Sequence, residues 1–90
     1  MVQYTLDGSR MTDLFSAHNH MAEVFGFPAD YDRSLDMLWE LLCEVPVPFQ
    51  LSILNWSQAE AGLDDYADEL MELFGDLVEE EPDFTFDVSD

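Results

Sequence analysis

Ninety residues with 21 aspartates and glutamates against two arginines and no lysine give a formal net charge of −19. Such a chain repels nucleic acid and anionic membrane and is drawn to basic surfaces. A hydrophobic content of 48% and an aromatic content of 13% exclude a disordered acidic tail and supply one modest core, so residues 1–90 read as a single domain.

In chain order, Val2-Gln-Tyr-Thr-Leu6 alternates apolar and polar residues and reads as a strand closed by Asp7-Gly8. Thr12 is the expected N-cap of a helix reaching Phe25. Its apolar face is Leu14, His18, Met21, Ala22 and Phe25, and Gly26 stops it. A second helix is expected from its cap Ser34 to about Glu44, halted ahead of Pro46 and Pro48. Phe49 to Leu54 alternates again as a second strand. Ser57 is expected to cap a short helix ending at Gly62. In the last helix Leu63, Tyr66, Ala67, Leu70, Phe74, Leu77 and Val78 keep i, i+3, i+4 spacing, with acids elsewhere and Pro82 as the stop. Asp64 and Asp65 sit at its N-terminus, where the helix dipole favours them. Phe84 to Val88 forms a third alternating strand. Strands joined by helical crossovers pair in parallel, right-handed by the usual rule. The expected fold is therefore α/β: a three-stranded parallel sheet with four helices, ordered β-α-α-β-α-α-β, the helices mainly on one face.

The second helix is the informative one. Asp36, Glu40 and Glu44 recur every fourth residue on one stripe, Leu35, Leu38 and Leu42 oppose them, and Trp39 lies on the seam. Like charges at this spacing cost a helix roughly 0.2–0.5 kcal/mol per pair, and Glu44 also meets the negative end of the dipole. This is a poor pattern for the helix alone and a good one for gripping a basic partner. The plain alternative is a solvated acidic face.

Catalytic and metal chemistry find little support. His18 and His20 are two apart on a helix and point about 200° away from each other, so they cannot share a ligand. His18 falls on the apolar face, where a satisfied, partly buried imidazole is expected. Asp36 and Glu40 could in principle do acid–base work. There is, however, no glycine-rich phosphate loop, no nucleophile elbow, and no cation beyond Arg10 and Arg33 to hold an anionic substrate. Cys43 has many carboxylates and no lysine near it in sequence, which disfavours a reactive thiolate. No zinc spacing and no cluster of cysteines is present. The expectation is a non-enzyme with no cofactor and no metal. A single cysteine, with no signal peptide and no apolar run of membrane length visible, suits a reducing cytoplasm.

The remaining classes are a nucleic-acid-mimicking inhibitor, a small acidic carrier protein and a salt-adapted protein. Asp32-Arg33-Ser34-Leu35-Asp36 resembles the modified-serine motif of acyl carrier proteins, but Arg33 interrupts it and those proteins are all-helical. The fuller resemblance is to the barstar family, cytoplasmic inhibitors of the secreted ribonuclease barnase and its relatives. It rests on Asp7-Gly8, on the helix ending before Phe27-Pro28, on Tyr31, and on Leu35-Asp36-x-Leu38-Trp39-Glu40-x-Leu42. The amphipathic last helix with Phe74 and the closing Asp83-Phe-Thr-Phe strand complete it.

That resemblance implies that the second helix and the loop before it enter a ribonuclease active site, their carboxylates replacing RNA phosphates. Asp36 and Glu40 would be the principal acids, flanked by Tyr31, Ser34 and Trp39, with Asp76 adding a peripheral charge. Asp30, Cys43 and Glu44 complete the expected partner surface. The implied partner is a basic ribonuclease bound one-to-one, with the inhibitor a monomer when free. Departures fall on that same surface. Glu40 stands where the family has an aspartate, Asp30 replaces the loop's first aromatic, and Glu44-Val45 replaces a Gly-Trp pair. They point to a relative of barnase or another toxin nuclease as target, with an immunity or regulatory protein for a basic non-ribonuclease partner as the alternative. Glu72 is expected on the outer face of the last helix, away from this surface.

Overall fold

The computed structural model describes residues 2–89. Strands β1 (Val2–Asp7), β2 (Phe49–Leu54) and β3 (Phe84–Val88) form one parallel sheet in the order β1-β2-β3. The helices are α1 (Leu14–Phe25), α2 (Leu35–Cys43), α3 (Trp56–Leu63) and α4 (Asp65–Glu80), and a 3-10 turn over Gly8–Arg10 follows β1. This is the expected order of three strands and four helices. Because the sheet is present, the carrier-protein reading falls.

Strand alternation decides which face is covered. Leu6, Phe49, Leu51, Ile53 and Phe84 are buried beneath the helices. Gln3, Thr5, Thr85 and Asp87 on the other face are exposed. On that open face Gln50 ties the three strands together, accepting from Gln3 Nε2 (3.3 Å) and donating to Asp87 Oδ2 (3.0 Å). In the register Val2–Phe49–Phe84 and Tyr4–Leu51–Phe86, aromatic and branched side chains meet across the strands.

Helix ends show where local signals were outvoted. Asp13, not Thr12, caps α1, its carboxylate accepting from Ser16 N at 2.7 Å, so the helix starts at Leu14. Leu14 then sits in the first turn, 46% exposed, off the apolar face assigned to it. Gly26 does end α1, in the left-handed region (φ 72°). Ser34 caps α2 as expected, accepting from Met37 N at 3.1 Å.

Helix α3 begins at Trp56 rather than after Ser57. Asn55 precedes it with a left-handed backbone and no side-chain cap, because its amide donates instead to Asp7 Oδ1 at 2.9 Å. Gly62 does not end α3. It lies inside the helix, where a Cβ would come within 2.1 Å of the Thr12 carbonyl oxygen, so α3 packs directly on the backbone ahead of α1. Leu63 closes α3, and α4 buries Ala67, Leu70, Leu73, Phe74 and Leu77. Val78, assigned to that buried face, is 37% exposed.

The two buried histidines diverge as their spacing requires. His18 is fully buried, with Nδ1 on the Tyr31 hydroxyl and Nε2 on the Tyr66 hydroxyl. A neutral imidazole offers one donor and one acceptor, and two phenols satisfy both. His20 Nε2 accepts from Asp7 N at 2.9 Å. Asp7 itself is held down at about 2 by its bonds from Asn55 and Ser9. Burial lowers the pKa of His18 and of His20 below the ordinary 6.5.

A folded pKa below the unfolded one means the unfolded chain binds more protons, so stability is full above about 6.5 and is lost as pH falls through that value. Melting temperature should hold between pH 9 and 7 and drop between roughly 6.5 and 5, before most carboxylates titrate. The His18→Phe variant should melt lower but with a shallower slope in this window. An identical slope would mean that His18 does not carry the dependence.

Candidate partner interface

Helix α2 stands as a ridge between two grooves. Residues four apart on an α-helix drift by about 40° per step, so Asp36, Glu40 and Glu44 fan out instead of forming a straight row. Asp36 and Trp39 line the groove on the α4 side, together with Leu35, Glu69, Glu72, Leu73 and Asp76. Glu44 opens on the other side, into a groove with Phe27, Pro28 and Val45. Glu40 is exposed between them, on the crest. The buried positions of α2 are Leu38 and Leu42, which hold the ridge against the core.

The groove between α2 and α4 carries four carboxylates (Asp36, Glu69, Glu72, Asp76) over the half-buried Trp39 ring. Glu69, Glu72 and Asp76 are an i, i+3, i+7 series on one face of α4, the pattern by which they could have been found in the sequence. Glu72 is thus a wall of this groove, not an outlying acid. Among the described residues the ion pair is Arg10–Glu23 at 3.2 Å, between the 3-10 turn and α1, so no cation forms an ion pair with the carboxylates of the ridge. An aromatic floor ringed by carboxylates is chemically a receptor for guanidinium or ammonium groups.

The other expected site residues are disposed unequally. Asp30 is exposed in the loop between α1 and α2. Tyr31 in the same loop is only 5% exposed, with its hydroxyl turned inward to His18 and its phenol pushed up by burial, so it holds the loop from beneath. Ser34 Oγ is occupied by the helix cap and by Asp32 Oδ1 at 2.7 Å. Cys43 is exposed at the end of α2, and its thiol is pushed up by partial burial and by Glu81 and Glu80. With Asp36 beside residues 69–76 and Cys43 beside 80–81, α2 and α4 run side by side in the same sense.

Sheet, helix order and acidic ridge define a small α/β protein with an exposed acidic helix beside an aromatic-floored groove. The chain matches the family described as Barstar (barnase inhibitor) over residues 1–89, and it belongs to that family. It is also 30% identical over 81 residues, 89% of each chain, to YrdF of Bacillus subtilis (strain 168), a candidate ribonuclease inhibitor by its name.

Proposed function

We propose that this protein inhibits a basic ribonuclease, one molecule per enzyme, by seating α2 and the loop before it in the active site. The family supports inhibition. The observation that carries the mechanism is the unpaired acidic ridge, Glu40 on its crest and Asp36 beside the Trp39 floor. A ribonuclease must gather cationic side chains to bind and cleave a phosphodiester. Carboxylates fixed on a packed helix offer those cations the charge of RNA phosphates without the cost of ordering a flexible strand. Inside a reducing cytoplasm Cys43 stays a free thiol and the inhibitor protects the cell that makes the enzyme.

A net charge of −19 adds long-range steering. Association with a basic enzyme should approach ~10⁸ M⁻¹s⁻¹ at low salt. Raising salt from ~50 to ~500 mM shortens the Debye length about threefold and should slow association much more than it speeds dissociation. Stopped-flow mixing with a panel of barnase-type ribonucleases tests this. An on-rate that is flat over that range would assign the acidity to solubility or salt tolerance instead.

A further inference from the structure

We propose that Arg33 is a positioning residue: clamped onto α1 by Asn19 and Phe15, it fixes the loop that presents α2 to the partner. This inference rests on the inhibitor reading above. Arg33 holds a left-handed backbone (φ 59°), a conformation that L side chains rarely adopt. Its Nε donates to Asn19 Oδ1 at 2.9 Å, and its guanidinium lies 4.6 Å from the centroid of the Phe15 ring. Phe15 and Asn19 are one turn apart on α1, so a single face of that helix receives the whole side chain. This contact also accounts for Phe15, a phenylalanine 59% exposed.

From the clamp the connection runs straight into α2. Asp32 Oδ1 accepts from both Ser34 N (3.0 Å) and Ser34 Oγ (2.7 Å), and Ser34 Oγ in turn accepts from Met37 N. Arg33 thus lies between α1 and the first turn of the ridge carrying Asp36, Trp39 and Glu40. Tyr31 anchors the same loop from the core side.

Charge and clamp give opposite signs, which makes the role testable. Arg33 is one of two arginines in the chain and stands next to the surface offered to a basic enzyme. By charge alone, removing it takes the net charge from −19 to −20 and should speed association. If it positions the loop, removing it lowers the competent population and slows association by the same factor.

The measurement uses the full chain against the barnase-type panel, with Arg33→Ala, Phe15→Ala, the double variant and Asp36→Ala. Arg33→Ala and Phe15→Ala should each slow association about three- to tenfold with little change in melting temperature, and the double should be no worse than either single. Amide exchange at Ser34 and Met37 should accelerate in both single variants. Faster binding by Arg33→Ala, a Phe15→Ala protein that binds like wild type, or additive losses would each overturn the clamp. If Asp36→Ala also binds like wild type, or no enzyme in the panel is bound, the interface itself is wrong. The exchange rates then still report on the clamp: unchanged protection at Ser34 and Met37 overturns it.

Discussion

Glu40→Ala and Asp36→Ala are each expected to weaken binding of the target ribonuclease by at least tenfold, about 1.4 kcal/mol. Truncating one partner of a charged pair buried at the centre of an interface costs ~2–5 kcal/mol, a range that draws partly on the barnase–barstar complex itself. Glu40 on the crest and Asp36 over the Trp39 floor are placed to be those partners. Trp39→Ala should follow closely, through loss of the groove's apolar base. Glu72 lines the same groove, so its removal should cost more than an outlying acid would. Glu60, exposed on α3, is the proper control and should alter mainly the on-rate. Glu40→Ala should not lower the melting temperature, because it removes a like charge from the helix, and Asp36→Ala should change it little, the same relief offsetting the loss of an acid favoured by the dipole in the first turn of α2; no hydrogen bond to either side chain is present among the described residues. Full affinity in both variants, with loss in Glu60→Ala, would move the interface off α2.

The second large effect is on stability. Gly62→Ala should destabilise by ~1–3 kcal/mol or more, as overpacking against an unyielding neighbour does. Helix propensity alone gives the opposite sign, since alanine is favoured over glycine inside a helix by about 1 kcal/mol. The structure decides between them: the new methyl would stand 2.1 Å from the Thr12 carbonyl oxygen and 2.6 Å from its Cα, which are backbone atoms and cannot rotate aside. Chemical denaturation of the two proteins measures the difference. A variant as stable as wild type, or more so, would show that α3 and the segment before α1 are not packed as described. Gly75→Ala, with nothing within 4 Å, is the matched control and should be neutral or stabilising.

Gly62 also shows where sequence reading reaches its limit. A glycine after Ser57 and four further residues looks like a helix stop, and only the tertiary approach of Thr12 reveals it as a contact. The same holds at Asn55, whose amide is drawn to Asp7 and so leaves α3 uncapped. Periodicity, by contrast, carried the sheet and the long helices, because a half-covered parallel sheet and an amphipathic α4 impose their spacing on every residue. The acids of α2 were legible for the same reason. What was not legible was their spread over the ridge, since a four-residue repeat drifts around the helix. The α4 wall was missed because Glu69 and Glu72 lie among acids on several faces of that helix. Tyr31 looked like a presented aromatic, yet its sequence neighbours give no hint that His18, itself bonded to Tyr66, draws it inward.

Inhibition itself is tested most directly by titrating this protein into a panel of barnase-type ribonucleases and following RNA cleavage. For at least one enzyme, activity should fall linearly and vanish at a one-to-one ratio, with Glu40→Ala failing to reach that endpoint at the same concentration. Undiminished cleavage across the whole panel at stoichiometric and higher ratios would contradict the ribonuclease reading and leave the acidic ridge to a basic partner of another kind.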